Sequence, residues 1–400
     1  MENHIKFTIA LDNLNAKITE LNIKISKDLS NENLKNELSI LLNDREKLLK
    51  ESDIVEIEKI LNKYGVVKTM DNLIKKTESL IEYETRINPD IQHLKTSHAP
   101  LIAQILSNYN LVPAPEGSKP NAKMIFLGAP TGAGKDTLVR KISADNPDKN
   151  FVILNMDMFR HYHREITGSN DHISDRNFAK ATNQTSYELY YIIQELILQE
   201  FPGTDVVVTG TMRDFEWVQE IVNRYKNDSK TNYDISLVSL AVPMKESALS
   251  IFERYLRLVD ERDPDSNEPL RYTDLEYHND TVHKFAANFH LIEDDFHQNP
   301  TTRLFDSIKV YRRNKDIFDL SEDTLVYDSQ NPDPEKCAHA HIFSIMNADP
   351  HFEKERITSL IDIIKRNADY LKAQKLYDSI PKDIESIVVK SDKDHSDVLK

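Results

Sequence analysis

Three of the eight glycines in this 400-residue chain fall within seven positions, in the run Gly128-Ala129-Pro130-Thr131-Gly132-Ala133-Gly134-Lys135-Asp136-Thr137. Met124-Ile125-Phe126-Leu127 precede the run and Leu138-Val139-Arg140-Lys141-Ile142 follow it. An apolar strand that enters a glycine-rich turn, ends it in Gly-Lys and opens a helix is the local architecture of a phosphate-binding P-loop. Glycines let backbone N–H groups face inward without side-chain clashes, and the helix N-terminus favours an anion. The expected cofactor-binding set is Gly128, Thr131, Gly132, Ala133, Gly134, Lys135, Asp136 and Thr137, with Lys135 reaching the outer phosphates of a nucleoside triphosphate. The strict pattern G-x-x-x-x-G-K-[ST] has glycine where Ala129 stands and a hydroxyl where Asp136 stands. That hydroxyl ordinarily holds Mg²⁺. Here Asp136 offers a carboxylate to the metal, directly or through water, and Thr137 offers a hydroxyl to the α-phosphate.

The rest of the chain sets the frame for this loop. From residue 123 onward, apolar strand candidates at 124–127, 151–154, 206–208, 235–242 and 308–311 alternate with helical segments at 137–143, 185–200, 215–225 and 246–259. This alternation predicts an α/β fold, a P-loop kinase core with a mostly parallel sheet flanked by helices and its ligand at the strand carboxyl ends. Before it, Leu11, Leu14, Ile18, Leu21 and Ile25 step by three and four, and Leu34, Leu38, Leu41, Leu42, Leu48 and Leu49 resume the pattern after a polar break. An antiparallel αα-hairpin follows, with further helices over 54–64 and 70–83. The expected organisation is a helical accessory domain at 1–92, a linker region at 93–120 punctuated by prolines, the core at 121–345, and a C-terminal helical extension with a polar tail at 346–400. The N-terminal helices read either as a packed accessory domain or as an arm that binds a partner or covers the cleft.

A net charge of −15 disfavours nucleic acid and anionic membranes as partners. Cys337 is the single cysteine, so no intrachain disulfide forms and a zinc site built on cysteines is excluded. No apolar run approaches the ~20 residues of a membrane span, and the first residues lack the basic start and apolar core of a secretory signal. A cytoplasmic protein is expected.

A kinase needs a base for the acceptor hydroxyl, a metal, and cations for the charge on the transferred phosphoryl group. Asp157, in Asn155-Met156-Asp157-Met158-Phe159-Arg160, ends an apolar strand taken to lie beside the P-loop strand, and is the candidate either to accept the hydroxyl proton or to bind Mg²⁺ through water. Thr211 and Arg213, in Thr209-Gly210-Thr211-Met212-Arg213, offer a hydroxyl and a cation to a substrate. Arg254 and Arg257, then Arg262 and Arg271, read either as a lid that closes on phosphates or as a solvated charge cluster. The Glu188 carboxylate either bonds a sugar hydroxyl or favours a helix N-terminus. His161 and His163, two residues apart with no third ligand nearby, read as surface residues rather than a metal site.

With these residues in place, 121–330 resembles the zeta-toxin family of P-loop kinases. Leu127 through Lys135 is similar to the family's glycine-rich loop. Asp157-Met158-Phe159-Arg160 with His163 resembles its D-x-F-[KR]-x-x-H strand end, and Val208 through Arg213 its I-E-G-T-x-R segment. Leu240-Ala241-Val242-Pro243 and Glu253-Arg254-Tyr255 resemble its A-V-P strand and E-R-Y helix, while Arg271, Lys284, Asn288 and Ile308–Tyr311 fit further downstream. The resemblance implies ATP- and Mg²⁺-dependent phosphorylation of a nucleotide sugar such as UDP-N-acetylglucosamine, in the setting of toxin–antitoxin pairs, with NAD-type nucleotides as acceptors in some relatives. It implies that Lys135 holds the β/γ-phosphates and Asp157 is the base. Arg254 and Arg271 stabilise the transferring group, and Glu188, Thr211 and Arg213 face the acceptor. The chain departs from the family at Asp136 and at Thr209, where the family has glutamate; a catalytically impaired nucleotide-binding module is the alternative that Asp136 raises.

Overall fold

A computed structural model describes residues 32–50, 66–88, 91–109, 111, 114–115, 117–146, 149, 151–169, 171–263, 266, 268–313, 324–330 and 337–388. The apolar seam at 11–25 and the helix expected over 54–64 lie outside these residues. The chain divides into two compact units. One comprises residues up to Ala114 together with Tyr187–Phe201, and the other comprises Pro115–Ser186 and Pro202–Lys400. No described helix is long and apolar enough to cross a membrane.

The first unit contains helices α1 (Glu32–Lys50), α2 (Val66–Ile87) and α3 (Ala99–Ser107). The last of these lies within the stretch expected to be linker, yet its Ala99, Ile102 and Ala103 are fully buried. Its apolar content, Leu-Ile-Ala-Gln-Ile-Leu, needs a core to cover it, and Pro100 at the start of the helix is compatible with helical entry.

The second unit is built on a six-stranded sheet in the order β2 (Val152–Leu154), β3 (Val206–Gly210), β1 (Asn121–Gly128), β4 (Asn232–Ala241), β5 (Ser307–Arg312), β6 (Leu325–Asp328). The first five are parallel and β6 runs antiparallel to β5. β3 therefore stands between β2 and the P-loop strand β1, so Asp157 does not leave a strand adjacent to β1 as its sequence position suggested. The crossover from β1 to β2 skips one strand position, which a parallel pair with a long connection allows and local sequence does not record.

Alternate residues pack on opposite faces of the sheet. Leu127, Val207 and Leu240 share a core with Leu138, Val139 and Ile142 of helix α4 (Lys135–Asp145). Phe126 points the other way, edge-on to Trp217 on helix α7 (Phe215–Lys226) and to Phe305. Between them in chain order lie α5 (His163–Thr167) and α6 (Asp175–Glu200). Helices α8 (Met244–Asp260), α9 (Leu275–Gln298), α10 (Ala338–Met346), α11 (Lys354–Arg366), α12 (Ala368–Ala373) and α13 (Ser379–Val388) complete the unit. The C-terminal helices share one core with α8, in which Leu249, Phe252, Tyr255 and Leu256 meet Ile357, Leu360, Ile364, Leu371, Leu376, Ile380 and Ile384. The extension is thus continuous with the interior of the P-loop unit.

Candidate active site

In-register pairing brings Gly128 level with Gly210 on one side and Ser239 on the other, so the carboxyl ends of β1, β3 and β4 form one edge. The Ser239 hydroxyl donates to the Gly128 carbonyl at 2.9 Å, and Ala129 N donates to the Gly210 carbonyl at 3.2 Å. A Cβ on Gly128 would lie 1.9 Å from Met212 Sδ, so a side chain there would have to displace that buried methionine. Met212 is fully buried and left-handed, with φ of 53°, an uncommon conformation for a side-chain-bearing residue. Asn288 on α9 holds it there, donating to the carbonyls of Met212 at 2.8 Å and Arg213 at 3.0 Å.

The loop itself is fixed from beneath. Gly132 has φ of +77°, and a Cβ on it would collide with the Ser247 carbonyl of α8 at 2.1 Å. Arg313, just past β5, donates to the Gly132 carbonyl at 3.3 Å and to Ser250 Oγ at 3.1 Å. Gly134 is the N-cap of α4, so Lys135 and Asp136 open the helix with N–H groups that have no acceptor in their own helix. The Thr131 hydroxyl is buried without a hydrogen-bond partner among the described residues. An orphaned donor beside a free helix N-terminus suits phosphate oxygens, so this loop fits the triphosphate that its sequence implies. Ala133, by contrast, packs into the sheet–helix core and donates its N–H to the Pro130 carbonyl at 3.3 Å. Thr137 N donates to the Gly134 carbonyl at 3.1 Å.

Charged groups gather above the loop. Lys135 Nζ donates to the carbonyls of Ala129 at 2.7 Å and Pro130 at 2.9 Å. Its pKa is lowered to about 8, by burial first and by Arg271 and Arg254 as well, against the opposing charges of Asp136 and Asp157. Asp157 is held between two guanidinium groups: Arg160 Nε donates to its Oδ1 at 2.8 Å, and Arg271 Nη1 donates to its Oδ2. Its recessed position favours the neutral acid, yet Arg271 and Arg160 outweigh that and hold the carboxyl below the usual carboxylate range. Arg254 feels the same field, its pKa lowered by burial and by Arg271, with Asp136 and Asp157 opposing. Lys135, Asp136, Asp157, Arg254 and Arg271 therefore share one electrostatic neighbourhood.

Arg160 was not singled out as a site residue. It is buried and anchored on α6, donating to the Ala179 carbonyl at 2.6 Å and Thr182 Oγ1 at 3.1 Å, which makes it the fixed partner that aims Asp157. Asp175 is a second such residue. Its carboxylate accepts from Tyr255 at 2.6 Å, Tyr370 at 2.7 Å and Leu270 N at 2.8 Å, tying the residue before Arg271 to α8 and α12. Arg356 on α11 makes a bidentate bridge to Glu246, at 2.9 Å to each oxygen, and also pairs with Glu253 beside Arg254.

The residues expected to face an acceptor separate. Thr211 follows β3 directly. Arg213 donates to Asp280 Oδ2 at 2.7 Å, lies 4.8 Å over the Tyr277 ring, and lines a cleft of about 580 Å³ with Arg176, Asp274 and Asp383. Glu188 belongs to the first unit, where it is fully buried. Its oxygens accept the backbone N–H groups of Gln92 at 2.9 Å, His93 at 3.0 Å and Leu94 at 3.0 Å.

Residues 111–330, more than half of the chain, match the zeta toxin family. Among curated proteins no sequence matches. Among solved structures, the chain is similar to one from the PezAT chromosomal toxin–antitoxin system of Streptococcus pneumoniae, at 19% identity and a TM-score of 0.50, over 70% of this chain and 99% of that one. It is also similar to AvrRxo1-ORF1:AvrRxo1-ORF2 with sulphate ions (14% identity, TM-score 0.43, 74% and 89% of the two chains). A third is AvrRxo1-ORF1:-ORF2 with ATP (14%, 0.39, 78% and 84%). The sequence match over the P-loop and the strands around it assigns the chain to the zeta toxin family.

Proposed function

We propose that this chain is an ATP-dependent phosphotransferase acting on a hydroxyl of a nucleotide sugar of the UDP-N-acetylglucosamine kind, with NAD-type dinucleotides as the second acceptor class. One observation carries the reading: a lysine, a carboxylate and two arginines converge over a glycine-rich loop whose buried Thr131 hydroxyl has no partner among the described residues. Bound ATP with Mg²⁺ supplies the transferable phosphoryl group. Lys135 exchanges its two loop carbonyls for phosphate oxygens, and the first-turn N–H groups of α4 orient them. Asp136, exposed on that turn, holds the metal ion.

Asp157 stays ionised, so it accepts the hydrogen bond of the acceptor hydroxyl and takes its proton late. A weak base suffices because phosphoryl transfer passes through a loose transition state with little early proton movement. For this, Arg271 leaves Asp157 Oδ2 and moves to the transferring group, joining Arg254. Arg213 and Thr211 bind the acceptor. The toxin–antitoxin origin of the pneumococcal relative supports a protein inhibitor as partner, met through the N-terminal helices.

The test is incubation of the full chain with ATP, Mg²⁺ and a panel of UDP-sugars and dinucleotides, read by mass spectrometry. A phosphorylated product that disappears in Lys135→Ala is expected. A second reading, a binding module without turnover, is favoured by Asp136 as an extra anion beside the phosphates. Saturable Mg²⁺-dependent ATP binding with no product across the panel selects it.

A further inference from the structure

Away from the P-loop, three donor side chains of different chemistry meet where α9 packs against the start of α10. Glu293, fully enclosed on α9, accepts from the N–H groups of Ala338 and His339 (2.9 Å to the latter), the first two of α10. His339 Nδ1 lies 2.6 Å from Glu293 Oε2, and its other ring nitrogen, Nε2, lies 3.9 Å from Cys337 Sγ, the N-cap position of α10. One ligand atom from each of Glu293, Cys337 and His339 falls within 4.8 Å of the other two. These residues lie together in the P-loop unit, and Cys337 and His339 fall beyond the family match.

An independent observation points into this cluster. Tyr327 on β6 is only 5% exposed, and its hydroxyl has no hydrogen-bond partner among the described residues. β6 packs against α10, which places this strand beside the helix that carries His339. A buried hydroxyl without a partner is costly unless a further group satisfies it.

We propose that Glu293, Cys337 and His339 form a binding site for a borderline transition-metal dication, zinc in the first place, with the Tyr327 hydroxyl bonded to a water in the fourth position. Thiolate, imidazole and carboxylate together suit zinc, whereas oxygen-only sets suit Mg²⁺ or Ca²⁺. Bonds of about 2.0–2.3 Å in a tetrahedral site set the donors roughly 3.3–3.7 Å apart, so the hydrogen bond between His339 Nδ1 and Glu293 Oε2 must open while the thiol draws in. The Cys337 thiol loses its proton to solvent, a sulfur–metal bond forms, and the neutral imidazole keeps one N–H. A single cysteine excludes the multi-thiolate zinc sites but leaves this mixed donor set open. Such an ion fastens α10 to α9, the helix that also carries Asp280 and Asn288.

The experiment titrates Co²⁺ and then Zn²⁺ into the chelator-treated full chain, read by absorbance. One equivalent of cobalt is expected to raise a thiolate-to-cobalt charge-transfer band with tetrahedral ligand-field bands, bleached by zinc. The band reports on Cys337 alone, since no other thiol exists, so cobalt on surface carboxylates or at the P-loop does not register. Cys337→Ser should remove it and weaken zinc binding by at least about tenfold, the loss seen when even an outer-shell partner is removed. His339→Ala should do the same. Zinc should raise the melting temperature of the parent but not of Cys337→Ser. No charge-transfer band in the parent, or zinc affinity unchanged in Cys337→Ser, overturns the site and leaves Glu293 as a cap on α10 only. Because serine preserves the size of the thiol and Glu293 keeps its helix contacts, a failure of His339→Ala to fold does not stop the test.

Discussion

Asp157 has two arginines to itself, and only one of them is fixed. Arg160 is buried among acceptors on α6, whereas Arg271 sits in the segment leading into α9 and also meets the field of Lys135 and Arg254. Replacing Asp157 by asparagine keeps the shape, removes the proton acceptor and releases Arg271. We expect ATP affinity to hold or tighten while turnover falls by on the order of 10²-fold. Near-normal turnover, measured with the best acceptor of the panel, would take Asp157 out of the chemistry. Lys135 gives a second test at this scale. In the free protein its pKa is about 8, and phosphates favour the ammonium form. Lys135 therefore adds no pH dependence to ATP binding below about 8. Above it, binding must take up a proton, so affinity falls by up to about tenfold per pH unit. Calorimetric dissociation constants between neutral and alkaline pH check this, with Lys135→Met expected to give a weak, flat profile.

At the scale of elements, the Asp175 carboxylate is the knot that joins α6, α8 and α12 and steadies Leu270, next to Arg271. Asp175→Ala strands two phenols and a backbone N–H. At about 1–3 kcal/mol for each buried donor left unpaired, we expect a clear drop in melting temperature, together with a lower kcat from a loosened Arg271. Unchanged kcat in a folded variant would separate the knot from the site. No sequence pattern announces Asp175, because its partners lie 80 to 195 residues away. The same holds for Arg356 and its two glutamates. The P-loop, by contrast, is legible because strand, turn, lysine and helix are contiguous, and the parallel strands carry either apolar runs, as in β2 and β3, or apolar residues broken by polar ones, as in β4 and β5. β6 escaped notice because an antiparallel edge strand of four residues has little pattern to read. Helix α9 escaped because its buried face carries His278, Thr281 and Glu293 among its apolar residues, which blurs the helical period. Glu188 shows the limit of single-residue reading: a carboxylate near catalytic motifs turned inward to backbone N–H groups.

At the scale of the whole molecule, the C-terminal extension is part of the interior of the P-loop unit. Ile357, Leu360, Ile364, Leu371, Ile380 and Ile384 are all buried against the core built on α8. Burial of each such side chain is worth about 1.5–3 kcal/mol, so their combined loss is comparable to the roughly 5–15 kcal/mol that holds a domain folded. A chain ending at Met346 should be insoluble or protease-sensitive, even though it retains every residue of the family match. A soluble, ATP-binding product of that length would show that the extension is dispensable. The arrangement also bears on how the protein comes into being. Synthesis runs from the N-terminus, and the core that backs α8 is incomplete until α13 has left the ribosome. A nascent chain stalled before Ser379 would already carry its P-loop and base yet lack the core that aligns them, so the activity proposed here would begin only once α13 has been made.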